Sequence, residues 1–475
     1  PNNKGATFTA YGQEISKNTY QTGITTLPVV VNKGDTLTNN SIFYDNTLAN
    51  VFGEGGNQSI VNCGYYTGNG ASLGPKTDLG FEPQWVMVKR ADSAADWLVW
   101  DNMRGIVTGG STSDPMLYPN EEYAESTTIY RMDLTSRGFK ITSSNGAINA
   151  NGGKYIYMAI RRPDPLVGKP IEAATEVFAI DNDTNANPDF RSNFPVDFAF
   201  AKHTTSSSGW WTSARLMQNS RLYIDEQSAE AAGSTWCNFD WGDPDGWSTG
   251  NFNSDVYSWM FKRHAGFDIQ GYKGNGSTKT VQHALNRTPE MIWVKCRSTG
   301  YNWYVYHSGQ NGGTNPWNYY LRLNHTDAEQ ESVAPYTNAV WNNTAPTSTQ
   351  FSLGPGNDIN ANNDTYIALL FASVDGISKC GYYDGTGSVG HVITTGFTPR
   401  LLIIKKVNGA NSWFMYDSLR GLGAGADPYL QLENTNAQAS GGDDVFATSS
   451  TGFTINQTYS SVNASGGKYI YYAHA

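Results

Sequence analysis

A lysine followed eight residues later by a tryptophan recurs at four matching places: Lys89 and Trp97, Lys202 and Trp210, Lys295 and Trp303, Lys405 and Trp413. Nothing else in the chain constrains its fold as tightly, because other markers keep the same order around each pair. A proline stands six residues before three of the lysines (Pro83, Pro289, Pro399) and seven before the fourth (Pro195), a one-residue departure. D-N-M-R-G at 101–105 matches D-S-L-R-G at 417–421. Y-L-R-L-N-H-T-D-A-E at 320–329 matches Y-L-Q-L-E-N-T-N-A-Q at 429–438, with a weaker echo at 221–230. Aromatic segments around Tyr155, Tyr257, Tyr366 and Tyr469 close the series. Independent markers in one order, four times over, define four homologous repeats.

The spacing itself predicts a hairpin. V-M-V-K before the gap and W-L-V-W after it have strand composition, and the residues between are turn formers such as Asp, Ser, Gly and Asn. A fixed loop length holds the register, since a slip of one residue turns every side chain to the wrong face. Alternation puts Trp97 and Val99 on one face and Leu98 and Trp100 on the other. A lysine opposite a tryptophan adds a cation–π contact of about 0.5–1 kcal/mol at an exposed site, so the pairs read as scaffold.

Composition supports the same class. Charged residues make up only 16% of the 475 and aromatics 13%, beside 50 glycines, which disfavours helices and favours short strands and turns. Short strands separated by Gly- and Asn-rich turns, eight or more in about 100 residues, predict antiparallel β-sandwich or jelly-roll domains. The expected division is an extension over 1–61 and β-sandwich repeats over 62–162, 172–265 (the divergent one), 266–377 and 378–475. The Pro-rich stretch 161–172 reads as a stiff spacer. Repeats three and four, joined with almost no linker, read as a rigid pair.

Charge and chemistry exclude much. A net charge of −10 with no basic face speaks against nucleic acid, and no apolar run approaches a membrane span. Cys63, Cys237, Cys296 and Cys380 form no disulfide framework and no C-x-x-C pair, so free, mostly buried thiols are expected. The seven histidines show no metal spacing. No cofactor is expected; the acidic pair Asp443–Asp444 is the place for calcium, without EF-hand spacing behind it. Glycoside hydrolysis needs two carboxylates about 5–9.5 Å apart; Asp225, Glu226 and Glu230 come nearest, in a segment where other repeats carry Asn324 and Glu433. Asp101 with Arg104, and Asp417 with Arg420, read as loop-fixing ion pairs. The chain therefore reads as a non-enzyme.

The run G-F-x-P-x-x-x-x-[VI]-K, then W-x-V-Y-D-S-x-R-G, Y-L-x-L-N-x-T-x-A and N-x-S-G-x-x-Y-I-Y-x-A resembles a repeated β-sandwich domain of virion proteins of tailed bacteriophages, marine ones in particular. The likeness spans about 62–475, is strongest in repeats one and four, and extends to the junction I-A-L-L-F-A-S-V-D-G-I-S-K-C-G-Y-Y at 367–383. Repeat two departs, with W-W-T-S-A-R where D-S-x-R-G is expected. The resemblance implies a concanavalin-like sandwich in a tail fibre, capsid decoration or host-contacting component on the virion. Its partners would be other virion proteins, further copies of itself, or a host-surface glycan, and residues 1–61 would attach the chain to the particle. The alternative is a secreted or cell-surface adhesin. Sugar sites stack aromatics on apolar sugar faces, and the aromatics not shared between repeats are the candidates: Trp236, Trp241, Trp247, Trp317, Tyr319 and Tyr320.

Overall fold

A computed structural model describes residues 59–106, 114–127, 132–164, 171, 173–182, 188–217, 220–231, 237, 239, 245–250, 252–332, 340–440 and 442–475, with the two-residue strands Thr9–Ala10 and Gln13–Glu14. The expected attachment role of 1–61 lies almost wholly outside these residues, as does most of the spacer over 161–172. The described residues form an all-β fold of antiparallel sheets, with no barrel among them.

One strand order recurs four times. In repeat one the sheet runs Val61–Thr67, Lys154–Arg161, Pro83–Arg90, Trp97–Asp101. Repeat two gives Phe178–Asn182, Val256–Phe261, Phe198–His203, Trp211–Ala214, Leu222–Tyr223. Repeat three gives Phe267–Lys273, Thr365–Phe371, Met291–Cys296, Tyr304–His307, Tyr319–Arg322, Gln330–Glu331. Repeat four gives Ser378–Asp384, Lys468–His474, Leu401–Lys406, Trp413–Asp417, Leu430–Gln431. First and last strands of each repeat are thus neighbours, and the lysine strand and its hairpin partner follow. A smaller sheet lies over one face, such as Lys76–Asp78, Gly138–Ile141 and Met132–Thr135 in repeat one, and the two sheets share a core that includes Val86, Trp100, Phe139 and Tyr155.

The signature motifs at the repeat ends are local supports. Asn149, Asn360 and Asn463, from N-A-N and its relatives, are fully buried, and each amide oxygen accepts the backbone N–H of a turn residue: Asn69 at 2.8 Å, Asn275 at 3.0 Å, Thr386 at 2.8 Å. The turn must start on glycine, because a Cβ at Gly274 would stand 2.0 Å from the Ala361 carbonyl oxygen. Tyr155, Tyr366 and Tyr469 pin the same loops, donating to Gly146 O, Asn357 O and Ser460 O. Repeat two corrects a marker here. Lys89, Lys295 and Lys405 pair with Ile156, Ile367 and Ile470, whereas Lys202 pairs with Tyr257. Val256, not Tyr257, is therefore the equivalent of the other tyrosines, and repeat two has no hydroxyl at that place.

The second face of the large sheets separates repeat one from the others. In repeats two, three and four it enters one shared core, to which Phe200, Trp210 and Trp259, Trp293, Trp303 and Leu369, and Ile403, Trp413 and Tyr472 all belong. The three sheets bury this face against each other; the corresponding face of repeat one takes no part.

Candidate functional site

The hairpins stand as the spacing predicts: Lys89 is opposite Trp97 and Lys405 opposite Trp413. The same register carries Lys202 to Trp210 and Lys295 to Trp303, one step past the Ala201–Trp211 and Val294–Tyr304 pairs. In each, the lysine ammonium donates to the carbonyl six residues on, at Ala95, Ser208, Tyr301 and Asn411, closing the hairpin loop.

In repeats two to four the lysine and tryptophan also reach a neighbouring repeat, and they do so by one pattern. Trp413 Nε1 donates to Arg322 O at 3.0 Å and Lys405 Nζ to Thr326 O at 2.9 Å, joining repeat four to three. Trp303 Nε1 donates to Tyr223 O at 2.8 Å and Lys295 Nζ to Gln227 O at 2.9 Å, joining three to two. Trp210 Nε1 donates to Gln431 O at 2.9 Å and Lys202 Nζ to Thr435 O at 2.8 Å, joining two to four. A backbone bond seals each junction: Glu329 N–H to Val407 O, Glu230 N–H to Arg297 O, Gln438 N–H to Thr204 O. Three equivalent head-to-tail junctions that return to their start make a closed ring.

Energetics follow from burial. Lys202, Lys295 and Lys405 are wholly buried, a rare state for lysine that requires its donors to be paired. Two carbonyls take two of the three N–H groups, and for Lys202 and Lys405 the indole face lies 5.8 and 5.9 Å away. Burial still lowers all three ammonium groups to about 8, against the opposing pull of nearby acids, Asp225 and Glu433 among them. The Asp417–Arg420 pair, expected as a loop clamp, is buried, and Trp259 of repeat two caps it by donating to Asp417 at 3.1 Å.

Among the described residues, repeat one carries the same face uncovered. Trp85, Met87 and Met158 are half-buried, while Tyr65 is 77% exposed and Ile156 44% exposed. Trp97 Nε1 has no partner among the described residues, and Lys89 bonds only within its own hairpin, to Ala95 O at 2.7 Å and Arg90 O at 3.1 Å. An open cleft of about 430 Å3, lined by Gln84, Trp85, Asp101, Asn102, Met103, Arg104 and Ile160, occupies the corner that Trp259 fills on repeat four. Repeat one is attached to the ring by buried charge: Arg263 holds Glu82 with two bonds of 2.6 and 2.8 Å and Asp268 at 2.9 Å. Burial alone would raise Asp268, but Arg263 and Arg162 hold its carboxyl below the usual range.

Sequence reasoning missed the acceptor segment of repeat one. Leu117, Tyr118 and Glu122 in M-L-Y-P-N-E-E-Y-A stand where Leu430, Gln431 and Thr435 stand in repeat four, as bridges Val99–Leu117 and Met415–Leu430 show. Asn120 Oδ1 accepts the Trp97 N–H at 2.8 Å, as Asp225, Asn324 and Glu433 accept from Trp210, Trp303 and Trp413. The surviving Asn and Ala four residues apart are the signal that could have found it.

The sugar-site candidates are dispersed. Trp236 and Trp241 lie outside the described residues. Trp247 is a core residue: fully buried, it donates to Ser258 Oγ at 2.9 Å and stacks on Phe239, which removes it as a ligand platform. Trp317, Tyr319 and Tyr320 lie side by side but half-buried, with Trp317 and Tyr320 packed on the core of repeat three and Tyr320 5.1 Å from the Tyr304 ring. Of the three carboxylates, Asp225 caps Trp210 and Glu230 pairs with Arg297. Among the described residues no three His, Cys, Asp or Glu side chains gather to hold a metal ion, no helix is long and apolar enough to cross a membrane, and all four cysteines are unbridged, with Cys63 exposed and the rest buried.

No curated protein matches the chain. A family model described as a domain of unknown function, DUF7483, matches residues 6–163 and 202–475, and the chain belongs to that family.

Proposed function

We propose that the chain is a non-enzymatic structural component of an extracellular particle: a bacteriophage virion protein of four tandem concanavalin-like sandwiches, serving as a tail fibre, head decoration or host-contacting part. The observation that supports this reading best is that the repeated polar residues are spent on joining repeat to repeat. Lysines and tryptophans close junctions between repeats while Asp225, Asn324 and Glu433 hold their hairpins, and among the described residues the face left over in repeat one is an apolar sheet surface beside an open cleft. Such a molecule is built to assemble. Its attachment residues would lie in 1–61, and its partners are virion proteins and copies of itself.

The test is location. Antibodies to the purified chain should label intact, gradient-purified particles of a phage that encodes it, and mass spectrometry should find it there in a fixed ratio to the major head protein. Its recovery only in the unassembled lysate fraction would sink the proposal. The adhesin reading draws on Trp317, Tyr319 and Tyr320, which still present part of their rings; saturable binding on a glycan array, lost in Trp317→Ala, would bring it forward.

A further inference from the structure

We propose that the open face of repeat one is a homotrimer interface, at which three copies of the chain form between molecules the ring that repeats two, three and four form within one. The proposal deepens the assembly reading, and rests on it, by naming the partner as two further copies of this chain.

Three observations carry it. First, repeat one holds both halves of the junction. The donors are Lys89 Nζ and Trp97 Nε1, and the acceptors are Tyr118 O and Glu122 O, placed as Arg322 O and Thr326 O are placed for Lys405 and Trp413. Among the described residues of one copy the donors do not meet these acceptors, and a neighbouring copy offers the matching set. Second, among the described residues both halves are uncovered. Pro119 is exposed where Ile224, Leu323 and Leu432 are fully buried in the shared core, and Tyr65 and Ile156 are exposed on the donor face.

Third, the corner cleft is shaped by what is missing from it. On repeat four that corner is covered by Trp259 of repeat two, and on repeat three by repeat four, whose Tyr471 carbonyl meets His307 Nε2 at 3.3 Å. Tyr382 of repeat four packs there too, close enough that a Cβ on Gly309 would stand 2.5 Å from it. Sheet register makes Met158 the counterpart of Trp259 and Tyr65 the counterpart of Tyr382. The cleft beside Asp101 and Arg104 is therefore filled by Met158 and Tyr65 of the next copy. Head-to-tail contacts close or run on according to the rotation per step; the same contact elements close after three steps inside the chain, so three copies close the ring.

Sedimentation equilibrium of the purified full chain tests this directly. The expected mass is three times the 52.0 kDa of one chain, returning to that of one chain in Tyr65→Glu and in Trp97→Ala. Tyr65 is exposed in the isolated chain, so Tyr65→Glu leaves folding intact, which an unchanged circular dichroism melt of the ring verifies. The Cys63 thiol gives a second readout, because its counterpart Cys380 is buried in the shared core. Cys63 should react slowly with a disulfide reagent in wild type and many-fold faster in Tyr65→Glu. A monomer or dimer at micromolar concentration overturns the proposal, whether Cys63 reacts freely or is shielded by another part of its own chain; so does a trimer that both substitutions leave intact. A monomer found on particles removes the trimer and leaves the assembly reading standing, and a trimer absent from particles does the reverse.

Discussion

Repeat one and repeat four share a strand order, a hairpin register and the same lysine and tryptophan, yet Trp413 is 1% exposed while Trp97 is only half-buried. What differs is the company. Trp413 enters a core assembled from three sheets, and its indole N–H finds a carbonyl on repeat three; Trp97 sits on a face against which none of the described residues of another repeat is set. The comparison teaches that the repeated pair is a joint rather than an ornament of one hairpin. A sheet with one solvated face needs no such pair; a sheet that must bury both faces needs donors that survive burial.

The largest contrast is expected from removing the joint itself. Trp413→Ala should destabilise the ring by about 3–5 kcal/mol, the cost of emptying a large aromatic site in a core, whereas Trp97→Ala at nanomolar concentration should cost the separate chain about 1 kcal/mol or less. Urea unfolding followed by circular dichroism measures both; equal losses would erase the distinction between the two faces.

Next comes the connection between the two bodies. Arg263→Met removes the nearer of the two buried cations that Glu82 and Asp268 share, leaving only Arg162 at 3.4 and 3.8 Å, and should cost about 3 kcal/mol. Adding Glu82→Gln and Asp268→Asn should recover part of that loss in the same assay. No recovery would mean that packing, not charge, holds repeat one to the ring.

Acid gives the smallest and most selective effect. All seven histidines fall outside repeat one. Burial lowers His307 to about 4 and His474 to about 3, each only partly offset by a carbonyl, and it also lowers His264 and His283. These groups fold neutral and unfold with an ordinary value near 6.5, so the unfolded ring takes up protons first as pH falls. Ring stability should therefore decline from about pH 6.5 toward 4, while repeat one holds through that window. A parallel decline in both would show that carboxylates, not these histidines, govern the acid limit.

How much of this was legible in the sequence follows from the same residues. Fixed loop length and strand composition revealed the hairpins, because register is local. The role of the lysine was not legible. Lys89 and Lys405 have similar neighbours in sequence, and only the set of sheets around them makes one half-exposed and the other buried. The acceptor segment of repeat one escaped notice because Pro119 replaces the apolar residue that Leu323 and Leu432 provide, which removes the Y-L-x-L pattern while the backbone keeps its path. Tyr257 misled as a marker because repeat two brings Val256 to the loop-pinning position and sends the tyrosine to the other face. Trp247 looked like a free aromatic because it belongs to no repeated motif; it packs the part of repeat two that diverged, against Phe190 and Phe239.

The most direct test of the ring is hydrogen exchange at the indole N–H groups, resolved by NMR of the full chain. Trp210, Trp303 and Trp413 each donate across a different junction, so a ring predicts that all three exchange through one shared opening with a single free energy, which Trp413→Ala lowers for the remaining two alike. Three separate free energies, with Trp413→Ala leaving Trp210 and Trp303 unchanged, would show independent repeats on a string and contradict the account.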